Sequence, residues 1–428
     1  MTDRPTDPAP TTPDPGAAAP APAPTTPDGG PSAGGAPGPS AAHPAPSAAH
    51  PAAGASTPAP PEAAGCQDWD PLAGQRSDDD PPLDVLLSGT VFFDIVFTGM
   101  ERLPRPGEEL WSKGMGSSPG GIANLATAAA RLGLRTGLVA GFGDDAYADW
   151  MWHTMAHEEG IDLTASRRFT DFHSALTVSI AAEGDRAMAT HGHDLPVPLS
   201  SLIAAAPASR AAVVDLAGET SWWAQLAQRG ALIFADIGFD PSGRWDTADL
   251  APLTHCHAFT PNALEAMSYT RTDSPDRAVR ALAERVPLAV VTDGADGSYA
   301  IDGSTGEEAF CPAVPVTAID TTGAGDVFAA AMVLGTLAEW PLDERLRFAS
   351  LCSALAVQQF GGSLAAPGWG DITDWWRCMS RAADDGDLRA AYTRSGYRFL
   401  DGVVPDHPVH GRRRAQGTFA LRSDAGKH

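Results

Sequence analysis

The run Asp320-Thr-Thr-Gly-Ala-Gly-Asp326, followed at once by the apolar stretch Val327-Phe-Ala-Ala-Ala-Met-Val-Leu334, places a carboxylate at the mouth of a buried helix. A helix start exposes unpaired backbone N–H groups and the positive end of the helix dipole, so it favours an anion, phosphate included. Gly323 and Gly325 permit backbone angles closed to other residues and let a ligand come close to the main chain. A carboxylate such as Asp326 is out of place beside a phosphate unless a cation or a reacting proton accounts for its charge. A general base that accepts a hydroxyl proton during phosphoryl transfer would account for it. The alternative is a plain helix cap, in which Asp326 serves only local N–H groups. The helix start should favour the anion and leave Asp326 a weak base.

Further candidates follow apolar runs. Asn262 and Glu265 are three residues apart and share one helical face, as a helix cap or as a polar pair aimed at a ligand. Thr292, Gly294 and Gly297 form a turn after Leu288–Thr292, a signal too common to mean much alone. Gly141-Phe-Gly-Asp-Asp-Ala146 looks like a dinucleotide fingerprint, but its paired carboxylates would repel pyrophosphate. His255-Cys-His257 and His191-Gly-His193-Asp194 have metal-ligand residue types; for the first, core packing along a buried strand is the simpler account.

These residues need a scaffold, and the hydrophobic pattern provides one. Asp84–Asp94 reads as a buried strand that bends at Gly89, and the shorter segments to Ser118 suit strands that leave the main sheet. Leu125–Gly133 reads as an Ala-rich helix ended by glycine, Thr136–Gly141 as a strand, and the stretch from Ala146 as a helix. Strand-like runs at 175–181, 211–216, 231–235, 258–260 and 288–292 then alternate with helical stretches. Such alternation predicts an α/β fold, a mostly parallel sheet covered by helices, with ligands at the carboxyl ends of its strands.

Composition sets the outer bounds. Residues 1–82 are dominated by Pro, Ala, Gly, Ser and Thr and read as a disordered tail, unable to bury enough apolar surface to offset ordering entropy. Residues 83–381 form one large domain, and 382–428 read as a polar, loosely ordered extension. A net charge of −24 argues against a nucleic-acid-binding surface. No apolar run is long enough to span a bilayer, and no basic-then-apolar leader opens the chain, so we expect a cytoplasmic protein with no membrane partner. Cys66, Cys256, Cys311, Cys352 and Cys378 are irregularly spaced and read as reduced thiols.

Four segments in order, Gly-Gly-Ile-Ala-Asn at 120, Thr-Pro-Asn-Ala-Leu-Glu at 260, Thr-Asp-Gly-Ala-Asp-Gly at 292 and Asp-Thr-Thr-Gly-Ala-Gly-Asp at 320, resemble the ribokinase-like, or PfkB, carbohydrate kinase family. The resemblance covers about three hundred residues and implies a three-layer α/β sandwich with a small β-strand lid, and transfer of the γ-phosphate of ATP to a hydroxymethyl group. It implies Asp326 as catalytic base and Gly323, Ala324 and Gly325 as anion hole. It assigns Asp94, Gly120, Gly121 and Asn124 to the acceptor, and Asn262, Glu265, Thr292, Gly294 and Gly297 to the nucleotide and its Mg2+. Asp320 and Thr322, completed by Gly361–Pro367, correspond to a monovalent-cation position, which makes K+ a candidate. For Asp94, a purely local hydrogen-bonding role is the alternative. Phe92 and Gly-Gly-Ile-Ala-Asn depart from the Asn and Gly-Gly-Lys-Gly-Ala-Asn of ribokinases, which weakens ribose as substrate and opens a nucleoside. A non-catalytic sugar- or nucleotide-binding regulator is a further alternative, and a homodimer through the lid is what the resemblance implies for assembly.

Overall fold

The computed structural model describes residues 69–182, 185–218, 221–407 and 409, so most of the Pro-rich tail lies outside the described residues. The run read as one bent strand is two: β1 (Leu83–Ser88) and β2 (Val91–Met100). They part at Gly89, where a Cβ would press on Ile122 at 3.2 Å. After β3 (Gly114–Gly121) the chain enters α1 (Ile122–Arg131) with no intervening loop. Next come β4 (Thr136–Val139), β5 (Gly141–Phe142) and α2 (Ala146–His153), which runs on into a π-turn over Thr154–Glu158. The short β6 (Arg167–Arg168) pairs with β5, and β7 (Ala175–Ala182) and β8 (Asp185–His191) complete the first half.

Strands β2, β3, β7 and β8 form a separate sheet in the order β3-β2-β7-β8, the lid. Its register sets Asp94 opposite Ser118 on one side and Thr177 on the other. The second half of the chain supplies α3 (Leu199–Ile203), β9 (Ser209–Asp215), α4 (Ser221–Gln228), β10 (Leu232–Asp236), β11 (Ala258–Phe259), α5 (Ala263–Thr270), α6 (Pro275–Ala283) and β12 (Leu288–Thr292). A hairpin, β13 (Ser298–Asp302) and β14 (Glu307–Cys311), then precedes α7 (Ala324–Leu337) and α8 (Leu342–Ala356).

The main sheet runs β14-β13-β12-β11-β10-β9-β1-β4, parallel except for the pairings of β13. Alternation along its strands separates two cores. Val85, Leu87, Val213, Phe234 and Val290 pack with α1, α7 and α8, while Leu86, Val214, Ile233, Ala235 and Val291 pack with α4, α5 and α6. Helix α7 is apolar on every side and lies buried from Val327 to Leu334. That rigidity holds its first turn, and Asp326 on it, in a fixed place.

Both domain boundaries read from the sequence need correction. On the amino-terminal side, Leu72 is fully buried and Arg76 donates to the buried Asp84, Nε to Oδ1 at 3.1 Å, so the folded unit includes residues assigned to the tail. On the carboxyl-terminal side, α9 (Gly362–Ala365) is followed by α10 (Trp369–Asp384), which runs past the expected end at 381, and by α11 (Leu388–Gly396). Aromatic packing explains the extension: Trp369 stacks on Phe348, Tyr397 meets Trp375 edge-on, and Leu400 is fully buried. His255 and Cys256 end a 3₁₀ turn rather than lying along a strand, and His255 packs against Trp223. Cys256, Cys311, Cys352 and Cys378 are free thiols, the first three buried. Among the described residues no helix is long and apolar enough to cross a membrane.

Candidate active site

Gly323 caps α7 with a left-handed φ of 75°, and its Cα face lies so close to Gly362 that a Cβ would sit 3.1 Å from the Gly362 Cα. Glycine is required there for both reasons. Ala324 and Gly325 open the helix, and above Gly325 there is open space for a ligand. Asp320 braces the approach: its carboxylate accepts from the Thr322 N–H at 2.9 Å, the Thr322 hydroxyl at 2.6 Å and the Gly361 N–H at 3.1 Å. Ser353 of α8 donates to the Ala324 carbonyl at 2.5 Å and ties the turn to the helix behind it.

Of the residues expected on the acceptor side, Asn124 reaches Asp326 from the other half of the chain. Asn124, in the first turn of α1 and 6% exposed, donates through Nδ2 to Asp326 Oδ2 at 3.2 Å. Its Oδ1 is buried without a partner and faces Gly362, where a Cβ would come within 2.5 Å. A buried acceptor left unpaired beside Asp326 is a place where a ligand O–H or N–H can bond. The Asp94 carboxylate lies over Gly120, so near that a Cβ there would overlap Oδ2 at 1.9 Å. Phe92 occupies the matching place over Gly121, 2.6 Å from a hypothetical Cβ. The paired glycines thus give the lid strand β2 room to lay Asp94 and Phe92 against β3.

Asn262 and Glu265 form a reciprocal capping box at the start of α5. Asn262 Oδ1 accepts from the Glu265 N–H at 3.0 Å, and Glu265 Oε2 accepts from the Asn262 N–H at 3.1 Å. Both residues are therefore engaged locally, and Glu265 is buried rather than exposed as a plain cap would leave it. Thr292 ends β12 and bridges to Asn262. Gly294 has open space above it, whereas Gly297, at φ 120°, lies against the Cys311 carbonyl, where a Cβ would come within 2.3 Å. Gly297 thus lets the chain enter β13 against the end of β14.

The electrostatics differ from the sequence expectation. Burial pushes the Asp326 carboxyl up to about 6, against the pull of the Asn124 hydrogen bond. Loss of water outweighs the helix start, and Asp326 is a better base than its position alone implied. The sequence reading also missed Asp236, the last residue of β10. Its carboxyl is raised, by loss of water first and then by the charges of Glu265, Asp326 and Asp215, with the Ile237 N–H opposing. Cleft water reaches Asp236, which tempers the shift and leaves its direction. An acid closing an apolar strand at the carboxyl edge of a parallel sheet was the available signal.

Residues 101–368 match the profile of the pfkB family carbohydrate kinases. A fructokinase from Klebsiella pneumoniae is 30% identical over 279 residues, which covers 60% of this chain and 88% of that protein. Arabidopsis thaliana ribokinase, solved with ribose and ATP, superposes with a TM-score of 0.56 at 21% identity, covering 67% of this chain and 96% of its own. Burkholderia thailandensis nucleoside kinase, solved with inosine, gives 0.54 at 22% identity, covering 66% and 93%. The two structural likenesses establish a ribokinase-like α/β fold. With the profile spanning most of the lid and main sheet, the chain belongs to the pfkB family of carbohydrate kinases.

Proposed function

We propose that this kinase moves the γ-phosphate of ATP to a primary hydroxyl of a sugar or sugar-like metabolite, with Asp326 accepting the hydroxyl proton. The acceptor oxygen attacks the γ-phosphorus, its proton passes to the Asp326 carboxylate, and ADP leaves. The backbone of Gly323, Ala324 and Gly325 would hold the migrating phosphoryl group at the start of α7. The observation that carries the reading is the Asn124–Asp326 contact, which joins the acceptor strand-helix corner to the phosphate turn. Asp94 and the unpaired Asn124 Oδ1 would read hydroxyls of the acceptor.

Mg2+ would enter with ATP and neutralise phosphate charge. The described residues contain no group of three or more His, Cys, Asp or Glu able to hold a metal alone, which fits a cation held chiefly by the nucleotide. Glu265 and Asp236 would offer oxygens to its water shell. Asp320 and Thr322 are the residues for K+; equal rates in potassium and in a bulky organic cation would remove that assignment. A nucleoside is the second reading of the acceptor, favoured by Phe92, whose ring lies against Gly121 where a base could stack.

The test is ADP release with Mg2+ across pentoses, hexoses, sugar acids and nucleosides. Acceptor-dependent release from one class would identify the substrate, and none from any class would remove the reading.

A further inference from the structure

Helix α1 carries Asn124 and Arg131 seven residues apart, about two turns along one face. Asn124 reaches Asp326, and Arg131 reaches the loop that begins at Gly361 and carries the single turn of α9. The Arg131 guanidinium meets Glu159 with two bonds, Nε to Oε2 at 2.8 Å and Nη2 to Oε1 at 2.6 Å. Its remaining Nη1 donates to the carbonyls of Leu364 at 3.0 Å and Ala366 at 2.8 Å. The two side chains are 4% and 1% exposed.

Stability is a poor reason for such a pair, because apolar residues of similar volume often hold a fold as well as a buried ion pair does. A second feature points the same way. Glu159 directly follows the π-turn of Thr154–Glu158 and closes it through its N–H to the Thr154 carbonyl at 3.0 Å. Turns of this kind are rare and concentrate at functional sites. The loop held by Arg131 is the one on which the site leans. Gly361 bonds Asp320, Gly362 lies against both Asn124 and Gly323, and the Ser363 hydroxyl donates to the Pro119 carbonyl on β3.

We propose that Arg131 and Glu159 are positioning residues that fix the Gly361–Ala366 loop, and through it the Asp320–Gly325 turn and Asn124, so that they govern turnover more than folding. This rests on the kinase reading above. Neither residue touches the reacting atoms; a misplacement of about 1 Å passed on by the loop is enough to lower turnover roughly a hundredfold.

The experiment uses the full chain with Arg131→Met/Glu159→Leu, which removes both charges and keeps the volume filled. The expected result is a thermal midpoint close to wild type, kcat lower by about a hundredfold, and KM values for ATP and acceptor within about threefold. Amide exchange at residues 361–366 should quicken while β9 and β10 stay protected. A folded double variant with wild-type kcat, or with unchanged exchange in the loop, overturns the proposal. Arg131→Lys is the second variant: it keeps the charge against Glu159 but lacks the planar fork, and an intact kcat in it overturns the proposal equally. Should wild type transfer phosphate to no acceptor, the kinase reading falls, and loop exchange in the double variant still decides whether the pair fixes the loop.

Discussion

Asn124→Ala should move the pH dependence of the reaction toward higher pH. The Asn124 amide donates to Asp326 at 3.2 Å, and it opposes the burial that has raised this carboxyl to about 6. A hydrogen bond to a charged group contributes about 1.5–3 kcal/mol. At 3.2 Å the contact is long for its type, so the lower figure applies. Since about 1.4 kcal/mol corresponds to a tenfold change in proton affinity, losing the donor should raise Asp326 by about one pH unit. The sign follows from which form is bonded: the amide stabilises the carboxylate, and without it the proton is held more tightly. A base must be unprotonated to act, so the acid limb of kcat/KM should have its midpoint near 6 in wild type and about one unit higher in the variant. The assay is coupled ADP release at low acceptor concentration from about pH 5 to about pH 9. A midpoint that stays in place, or falls toward the ordinary carboxylate range, would refute the role given to this contact.

The same raised carboxyl makes a stability prediction. Its folded-state value lies above the unfolded one, so Asp326 adds stability below about pH 4 that is lost as pH rises through about 6, and Asp326→Asn should unfold at higher temperature than wild type at pH 8. The gain is at most about 3 kcal/mol and less in practice, because Asp326 is only partly buried; calorimetry at about pH 4 should show it gone. Gly120→Ala must displace the Asp94 carboxylate from its place over Gly120, so it should raise the acceptor KM while leaving ATP affinity near wild type in a calorimetric titration. Leu400→Ala should cost about 2–5 kcal/mol in chemical denaturation, since Leu400 is fully buried in the carboxyl-terminal packing, and a loss below about 1 kcal/mol would mean that the extension does not support the core. Removing residues 1–82 should destabilise the kinase measurably because it takes away Leu72 and the Arg76–Asp84 bond, whereas removal of residues 1–68 spares both.

What could be read from the sequence was local. The turn at Asp320–Asp326, the Ala-rich helix and the cap at Asn262 depend on residues within a few positions of one another; each forms, although the helix starts at Ile122, three residues before the expected Leu125, and ends at Arg131. The division of Asp84–Asp94 between two sheets was hidden because both halves are apolar, and the bonds at the break, Gly89 N–H to the Val139 carbonyl and Ile122 N–H to the Thr90 carbonyl, come from segments far along the chain. Helix α11 was hidden because it is short and buries almost nothing itself, Leu388 and Tyr392 being exposed, while Tyr397 beyond it packs edge-on against Trp375 of α10. The proton affinity of Asp326 could not be read from a helix start, because it is set by water excluded by neighbours far away in sequence. Asp236 was passed over for a related reason: its carboxylate neighbours come from three other elements.

The central claim is that Asp326 accepts the proton during transfer. Once an acceptor is known, the direct measurement is single-turnover phosphoryl transfer by wild type and Asp326→Asn at saturating ATP and acceptor. A neutral amide keeps the shape and cannot take the proton, so the rate should fall by about a hundredfold to ten-thousandfold with ATP affinity retained. A variant that transfers phosphate within about tenfold of wild type would contradict the account.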